Sequence, residues 1–273
     1  MGWHTTTSAE EFLAGAGEFL RSRPVENTIL LTVATAVRDR GSDDPLFGWF
    51  TRGGRVDGAF LHTPPYPLVV SAVPPGSLPA LAETLADRPL PEFNARPADA
   101  DEFAAAWRAR TGQRTKGCMR TRLFRLDELT PPAPPPGRPR VAGPDDRALL
   151  IDWFDAFQAD IGANHRGVED LVDHELSYGG LTLWEVHGTP VAMAGVTVPA
   201  AGMVRVIAVY TPLEMRGHGY GGAVTAAVSQ AALDAGAEDV VLFTDLANPT
   251  SNALYQRLGY RPVEDRHVME FSL

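Results

Sequence analysis

Hydrophobic residues along this chain follow two periods, and the changes between them mark the predicted helices and strands. Val224, Val228 and Ala231 recur at helical spacing, which predicts an amphipathic helix with one apolar face. Compact β-branched runs at residues 204–210 and 240–244 predict strands before and after that helix. The pattern therefore predicts a strand, a turn, a helix and a second strand in succession.

The same two periods predict further elements in both halves of the chain. In the first half they predict helices at residues 9–21, 27–38, 78–86 and 99–110, and strands at 46–51, 58–62, 68–72 and 118–126. In the second half they predict helices at 145–158 and 168–177, and strands at 140–142, 181–187 and 191–198. Mixed helices and strands of these lengths predict an α+β fold.

A proline-rich stretch at residues 131–139 separates the two halves. Proline lacks a backbone N–H and favours extended backbone, so we expect a stiff connector without a helix or a sheet ladder. The predicted organisation is a first domain at 1–130, the connector at 131–139, and a second domain at 140–273. The similar order of elements in the halves indicates an internal duplication, and an unrelated α+β accessory domain is the alternative.

The formal net charge of −10 is concentrated in the second half. Residues 1–130 carry 15 Lys and Arg against 16 Asp and Glu, whereas the rest of the chain carries 9 against 18. Excess acid argues against nucleic acid as the main partner, because phosphate backbones are bound by excess cation. It is compatible with a cationic amine substrate, as it is with a solvated acidic surface.

Cysteine usage and hydropathy indicate a cytoplasmic protein. Cys118 is the only cysteine of the 273 residues, which excludes an intrachain disulfide and suits a reducing compartment. Its place in a predicted strand favours a buried or half-buried structural role. No apolar run approaches the length of a membrane span, so no membrane association is expected.

The strand at residues 204–210 leads into a glycine-rich turn that opens the predicted helix. The turn reads Arg216-Gly217-His218-Gly219-Tyr220-Gly221-Gly222. The first amides of a helix lack intrahelical acceptors and lie at the positive end of the macrodipole, so an anion is the natural occupant. Glycine allows the backbone angles and the close approach that a diphosphate needs, and Arg216 adds a cation. A plain strand-to-helix turn is the alternative.

Two other phosphate-binding motifs do not fit this turn. No Gly-Lys-[Ser/Thr] follows, which argues against a Walker A loop. Asp234 is the acid at the distance that a dinucleotide fold would need, but it precedes Gly236 and fits a helix end better than a ribose contact.

Two motifs in the second half resemble signatures of the GNAT acyltransferase superfamily. Arg216, Gly219 and Gly221 form the Arg-x-x-Gly-x-Gly pattern of its motif A, which holds the pyrophosphate of acetyl-CoA. Residues 248–260 resemble the later Asn…Leu-Tyr-x-x-x-Gly-[Phe/Tyr] signature. The resemblance implies a mixed, mainly antiparallel, splayed central sheet flanked by helices. With the duplication, it implies two GNAT-like halves in tandem.

The resemblance also implies roles for particular residues. The backbone at Val209–Thr211 would pair with the pantetheine arm, the loop would hold the diphosphate, and the Asn248 amide would help to hold the cofactor. His218 could touch phosphate, although a solvent-exposed side chain is the default at its position. The implied cofactor-binding residues are Val209, Tyr210, Thr211, Arg216, Gly217, His218, Gly219, Tyr220, Gly221, Gly222 and Asn248.

Acyl transfer to an amine needs a neutral nucleophile, stabilisation of an oxyanion and protonation of the leaving thiolate. The resemblance places the Tyr255 hydroxyl near the thioester sulfur, where it would act as the acid, and core packing is its alternative role. A backbone N–H near Val209 would stabilise the oxyanion. Many relatives carry a base on the second central strand, where this chain has Phe243. The base stays open among Glu185, Glu214, Asp245 and a water chain.

Other candidate sites carry weaker signals. In the first half, Pro74-Pro75 stands where a second cradle would lie, and because proline has no N–H to donate, we expect no equivalent CoA site there. His165, Asp170 and His174 lack convincing metal-ligand spacing, and no metal is expected. Trp153 and Phe157 fall one helical turn apart near the family's acceptor pocket, with core packing an equal or better interpretation.

The predicted function is transfer of an acetyl group from acetyl-CoA to a primary amine of a small molecule or peptide, by direct attack in a ternary complex. A non-catalytic acyl-CoA-binding sensor is the alternative from another class. A longer acyl group or a peptide N-terminus as acceptor stays open, as does the choice between a monomer and a homodimer.

Overall fold

The computed structural model describes residues 1–162 and 167–272. The chain divides into two compact units. The N-terminal unit comprises Met1–Leu123, Thr244–Ala247 and Val263–Leu273, and the C-terminal unit comprises Phe124–Phe243 and Asn248–Pro262. The segment from Val263 onward, predicted to lie in the second domain, therefore groups with the N-terminal unit. The proline-rich composition indicates a connector between two domains. It does not indicate that a later strand pairs with strands of the first half of the chain.

The first half of the chain runs through β1 (Gly2–Thr6), α1 (Ala9–Arg21), α2 (Thr28–Arg40), β2 (Leu46–Arg52), β3 (Arg55–His62), β4 (Leu68–Val70), α3 (Leu78–Thr84), β5 (Glu92–Ala95), α4 (Pro97–Thr111) and β6 (Arg114–Leu126). In the N-terminal unit, strands β1 to β4 pair antiparallel in chain order, and β4 pairs parallel with β5. The last strand of the chain, β12 (Tyr260–Ser272), pairs antiparallel with β5.

The second half runs through β7 (Arg138–Val141), α5 (Arg147–Asp160), α6 (Val168–Ser177), β8 (Leu181–Val186), β9 (Thr189–Val196), β10 (Met203–Tyr210), α7 (Tyr220–Asp234), β11 (Asp239–Asp245) and α8 (Pro249–Arg257) before β12. Strands β7 to β10 pair antiparallel, and β10 pairs parallel with β11. Short 3-10 turns precede α5 and follow β10.

Both units follow the same order of elements. Two helices precede three antiparallel strands, and a helix then leads to a strand that is parallel to the third one. A parallel neighbour needs such a crossover connection, which α3 provides in one unit and α7 in the other. The predicted α+β class and the duplicated order are thus both present.

The core of the C-terminal unit lies on both faces of its sheet. On one face, α7 and α8 pack against alternate β10 residues such as Val204 and Val206. On the other face, α5 and α6 pack against residues that include Ile207 and Ala208. The N-terminal unit has a separate core around Phe93, Phe103 and Trp107. Each unit therefore buries its own apolar interior.

The predicted connector departs from its expected structure at its end. Arg138 and Pro139 belong to β7, where Pro139 lies opposite Trp184 of β8. Strand β7 is the outermost strand of its sheet, and an edge strand tolerates proline because one row of its backbone groups needs no partner. The expectation that residues 131–139 contain no sheet ladder was therefore wrong for these two residues.

Three short or polar strands, β1, β5 and β12, were not predicted from the sequence. Strand β12 contains Pro262 and a run of charged residues, a composition that hides a strand. Cys118 was expected to be at least half-buried, but it is exposed on β6. Partial desolvation raises the pKa of its thiol, which does not favour a reactive thiolate.

One buried arginine closes the parallel strand pair of the N-terminal unit. The β4–β5 pairing ends at Val69 and Asn94. Just beyond it, Arg266 Nη2 donates to the carbonyl oxygens of Val70 at 2.7 Å and Asn94 at 3.1 Å. Its Nε donates to Asn94 Oδ1 at 2.7 Å, and Nη1 pairs with Glu264 at 2.9 Å. Arg266 thus bridges the two strands where their own pairing stops.

Candidate active site

The glycine-rich turn before α7 presents a row of backbone amides. Gly217 and Gly219 have φ angles of +82° and +84°, in the left-handed region that L side chains rarely adopt. Gly219 caps α7, whose first intrahelical bond runs from Ala223 N to Gly219 O at 3.0 Å. Within the described part of the chain, no carbonyl accepts from the amides of residues 217–222. These amides are therefore available to an anion.

Two further glycines allow close packing around the same turn. A Cβ atom at Gly221 would lie 3.3 Å from Thr211 Oγ1, and one at Gly222 would lie 3.0 Å from Leu254 Cδ1 of α8. Side chains here would push the turn away from the end of β10 or separate α7 from α8. The sequence thus brings the loop and the Asn248–Tyr260 motif together, as two parts of one site require.

The proline-rich segment lies beside this turn. Pro135 Cβ is 4.0 Å from the position of a Cβ at Gly219, and Pro132 Cγ is 3.9 Å from that at Gly222. Trp184 Nε1 donates to the Pro136 carbonyl at 3.0 Å, which fixes the end of the segment. The connector therefore forms a wall next to the loop, a contact for which the sequence gives no local signal.

Arg216 is held by two neighbouring groups. Its Nε donates to the Thr211 carbonyl at 2.9 Å, which closes the turn, and its Nη2 pairs with the carboxylate of Asp160 at the end of α5. The guanidinium also lies 6.0 Å from the centre of the Tyr210 ring. Sequence reasoning missed Asp160, because it is far from Arg216 in the chain. An incoming phosphate has to compete with this carboxylate for the cation.

We expect Asp160→Asn to tighten acetyl-CoA binding by about 2- to 5-fold, because removal of an exposed competing charge is worth a fraction of a kcal/mol. Titration calorimetry of both proteins measures this ratio. Asp173→Asn is the matched control, since Asp173 pairs with Arg147 in the same unit at 2.6 Å and similar exposure. Weaker binding in Asp160→Asn would contradict competition.

Strands β10 and β11 separate beyond their paired region. Their parallel pairing runs from Met203 opposite Asp239 to Val206 opposite Leu242, whereas β10 continues to Tyr210. The backbone of residues 207–210 therefore lies beyond the part of β10 that pairs with β11. This is the splay that the fold prediction included, and it leaves Val209 and Tyr210 on an open strand edge.

A β-bulge interrupts β10 at the same place. Ile207 lies opposite Gly195 and Tyr210 opposite Met193, so β10 carries one extra residue, and Ala208 has a φ of +49°. Such a bulge changes the direction of the backbone groups that follow it. A non-glycine residue in this conformation is strained, and such strain often marks functional backbone. No sequence signal predicts this bulge.

Tyr255 lies on the buried side of α8, 7 % exposed. Its ring packs edge-on against Tyr260 at 6.1 Å, and burial raises the pKa of its hydroxyl to about 12. Among residues 1–162 and 167–272, none hydrogen-bonds to this hydroxyl. Tyr255 is therefore a core residue that also carries an unengaged, protonated donor.

Asn248 and His218 have local roles in the structure. Asn248 caps α8, and its Oδ1 accepts from Ser251 N at 3.0 Å, which leaves its Nδ2 for a ligand. His218 is exposed, and its ring stacks on Tyr220 with centroids 5.6 Å apart. Its Nδ1 lies 3.0 Å from the Arg216 carbonyl oxygen, so the imidazole is held against the turn itself.

Two of the three carboxylates considered as a base are engaged by other groups of the chain. Glu185 pairs with Arg140 at 2.8 Å. Glu214 is exposed on the 3-10 turn after β10. Asp245 accepts from Ala247 N at 2.8 Å. Glu214 and a water chain are the routes that these contacts leave open.

Two other kinds of site are absent from the described residues. No group of three or more His, Cys, Asp or Glu side chains there could hold a metal ion, and no described helix is long and apolar enough to cross a membrane. His165, considered with Asp170 and His174, lies outside the described residues. Trp153 and Phe157 pack partly buried against the α5–α6 core.

Comparisons with known proteins agree with this arrangement. Residues 146–260 match the model of the acetyltransferase (GNAT) family. A search of curated proteins gave no match.

Solved structures with the same fold cover nearly the whole chain. A GCN5-related N-acetyltransferase from Sphaerobacter thermophilus is 15 % identical, with a TM-score of 0.63 and coverage of 99 % of this chain and 95 % of that one. A GNAT-family acetyltransferase from Colwellia psychrerythraea is 11 % identical, with a TM-score of 0.61 and full coverage of both chains. A tandem GNAT protein from the clavulanic acid pathway is 15 % identical, with a TM-score of 0.56 and coverage of 99 % and 98 %. Residues 146–260 therefore form a domain of the GNAT acetyltransferase family, within a chain that has two GNAT-like halves in tandem.

Proposed function

We propose that this protein is an acetyl-CoA-dependent N-acetyltransferase that acts on a primary amine of a small molecule or peptide. The observation that carries the proposal is the row of open amides at residues 217–222, placed at the end of a strand that splays from its neighbour. An anion at the turn and an extended arm along β10 would both be bound by backbone groups. Coenzyme A has a diphosphate and an amide-containing arm in this order.

The residues of the turn fit the diphosphate. Gly217 and Gly219 hold the amides outward, and Arg216 supplies the cation once Asp160 is displaced. The adjacent wall at Pro135 has no N–H and no charge that would compete for the anion. Asn248 Nδ2 is a further donor at the start of α8.

The chemistry assigned to the chain is limited to two groups. Acetyl-CoA supplies the acetyl group as a thioester. The Val209 N–H, next to the bulge at Ala208, would donate to the carbonyl oxygen as negative charge develops on it. Tyr255 holds its proton at neutral pH and would donate it toward the departing sulfur. The amine would lose its proton to water or to the exposed Glu214 carboxylate on the turn after β10.

We also propose one cofactor site per chain. In the N-terminal unit the Val70 and Asn94 carbonyls, at the end of the β4–β5 pairing, already accept from Arg266, and Pro74-Pro75 removes two amide donors. An extended arm would find no open strand edge there. Calorimetry with acetyl-CoA should therefore give a stoichiometry of one.

The proposal is tested by release of free thiol from acetyl-CoA in the presence of a panel of primary amines. Amine-dependent release that is lost in Tyr255→Phe supports the enzyme. Tight acetyl-CoA binding without thiol release for any amine would instead support an acyl-CoA-binding sensor. Glu185 is paired with Arg140, so it is less available as a base, which favours the sensor. The Tyr255 hydroxyl has no hydrogen-bond partner among the described residues, which favours the enzyme, because a sensor needs no acid to protonate a thiolate.

A further inference from the structure

A buried histidine at the end of β3 accepts a hydrogen bond from an arginine. His62 is 1 % exposed, and Arg88 Nε donates to its Nδ1 at 3.0 Å. Because arginine has no acceptor atom, Nδ1 carries no proton, and the neutral imidazole has its proton on Nε2. Nε2 is buried and has no hydrogen-bond partner among the described residues. The fold therefore holds His62 neutral and offers its protonated form no acceptor at either nitrogen.

Arg88 connects His62 to a second loop of the N-terminal unit. Its Nη2 donates to Asp44 Oδ2 at 2.9 Å and to the Asp44 carbonyl oxygen, and its Nη1 lies 3.3 Å from Asp44 Oδ1. Asp44 has a φ of +48°, a left-handed conformation that is uncommon outside glycine. The guanidinium thus ties the loop at residues 41–45, between α2 and β2, to the loop at 85–91, between α3 and β5.

The surroundings of the imidazole oppose its protonation. Burial, followed by the Arg88 guanidinium, lowers the pKa of His62 to about 4 against a smaller opposing effect of the Asp44 carboxylate. The β2 residue opposite His62 is the apolar Leu46. A histidine in the unfolded chain titrates near ~6.5, so the unfolded chain binds a proton that the folded chain refuses between these two values. The neutral histidine therefore contributes its full stability above about pH 6.5, and this contribution is lost as the pH falls toward 4.

We propose that His62, Arg88 and Asp44 form an acid-sensitive latch, in which protonation of His62 releases Arg88 and frees the loops at residues 41–45 and 85–91. An imidazolium carries an N–H at both nitrogens, so Nδ1 no longer accepts from Arg88, and two cationic groups would meet at 3.0 Å. The imidazolium gains hydration only when the loops move away from it. The latch responds to protons alone and does not depend on the acyl transfer proposed for the C-terminal unit.

The test is hydrogen exchange of the whole chain at about pH 7 and about pH 5.5, measured by mass spectrometry and corrected for the intrinsic pH dependence of exchange. One amide in each loop reports on opening. Gly41 N donates to Val37 O at 2.7 Å, and Arg88 N donates to Leu85 O at 2.9 Å. At the lower pH we expect both amides to open about 5- to 10-fold more often, the ratio that follows from pKa values of about 4 in the closed form and ~6.5 in the open form.

His62→Asn removes the titration and keeps the acceptor, because the Oδ1 of an asparagine can take the place of the histidine Nδ1. In this variant the amides of Gly41 and Arg88 should exchange equally slowly at both pH values. His4→Gln is the matched control. His4 is exposed, and its Nε2 lies 3.0 Å from Thr51 Oγ1, so the wild-type response to pH should persist in this variant.

Arg88→Met should open both loops at both pH values, because the connection between them is gone. Wild-type exchange that does not change with pH overturns the inference, as does an equal response to pH in wild type and His62→Asn. If His62→Asn does not fold, proton resonances of the wild-type imidazoles decide the question. Titration of His62 near pH ~6.5 in the folded protein overturns the latch, whereas a neutral His62 down to about pH 5 supports it.

Discussion

Tyr255→Phe is expected to lower kcat about 100-fold or more while the affinity for acetyl-CoA changes less than about 2-fold. Removal of a positioned proton donor has an effect of this size. The ring stays, so the core around Tyr255 and its edge-on contact with Tyr260 are kept. Stability should change little, since no described residue hydrogen-bonds to the hydroxyl. Steady-state kinetics with the best amine and calorimetry with acetyl-CoA measure the two quantities.

Tyr260→Phe is the matched control for this prediction. Tyr260 is the other ring of the same pair, but its hydroxyl lies 2.7 Å from Ser229 Oγ in a buried hydrogen bond. Its loss should cost about 1 kcal/mol of unfolding free energy and leave kcat near that of wild type. Equal kcat in wild type and Tyr255→Phe would remove the proposed acid.

The pH dependence follows from the pKa of about 12 that burial gives Tyr255. The protonated hydroxyl is the active form, so deprotonation of Tyr255 should not lower kcat until the pH rises toward 12. In Tyr255→Phe, kcat should be low at every pH from 7 to 10. A wild-type rate that falls through pH 8 to 9 would have to come from another group, since Tyr255 stays protonated there.

Arg266→Ala is expected to destabilise the N-terminal unit by about 3–5 kcal/mol, the usual cost of removing one partner from a buried ionic network. The arginine is 2 % exposed and bonds to Val70, Asn94 and Glu264. Burial already raises the pKa of the Glu264 carboxyl. Loss of Arg266 removes the cation that pairs with this carboxylate. Urea unfolding is followed by tryptophan fluorescence, to which this unit contributes Trp3, Trp49 and Trp107 and the C-terminal unit contributes Trp153 and Trp184.

Lys116→Ala is the control for Arg266→Ala. Lys116 pairs with Glu270 of the same strand β12 at 2.9 Å, but its side chain is 63 % exposed, so its loss should cost less than about 1 kcal/mol. If Arg266→Ala loses no more stability than Lys116→Ala, the bridge between β4 and β5 contributes little to the unit.

The local parts of the fold and the site were predictable because their signals are local. The helix at 9–21 and the helix at 168–177 have the predicted bounds, since the apolar periodicity that predicts each helix lies within its own segment. The turn at 216–222 was predictable because a strand, closely spaced glycines and a helix follow one another directly.

The remaining features depend on contacts between distant segments. Nothing near Arg216 in the sequence indicates Asp160, and nothing near Gly219 indicates Pro135. Strand β12 reads as polar along its length, but β5 supplies its hydrogen-bond partners. The bulge at Ala208 is set by the register with β9, and alanine carries no preference for that conformation.

The measurement that tests the central claim most directly is calorimetric titration of the folded protein with acetyl-CoA, beside Gly219→Trp and Gly236→Trp. Both glycines have positive φ angles, +84° and +91°, so both variants carry similar backbone strain, but Gly236 lies after the end of α7, away from the turn. We predict one equivalent bound by wild type and by Gly236→Trp, and no binding by Gly219→Trp. Absence of binding by folded wild type, or equal binding by Gly219→Trp, would contradict a cofactor site at this turn.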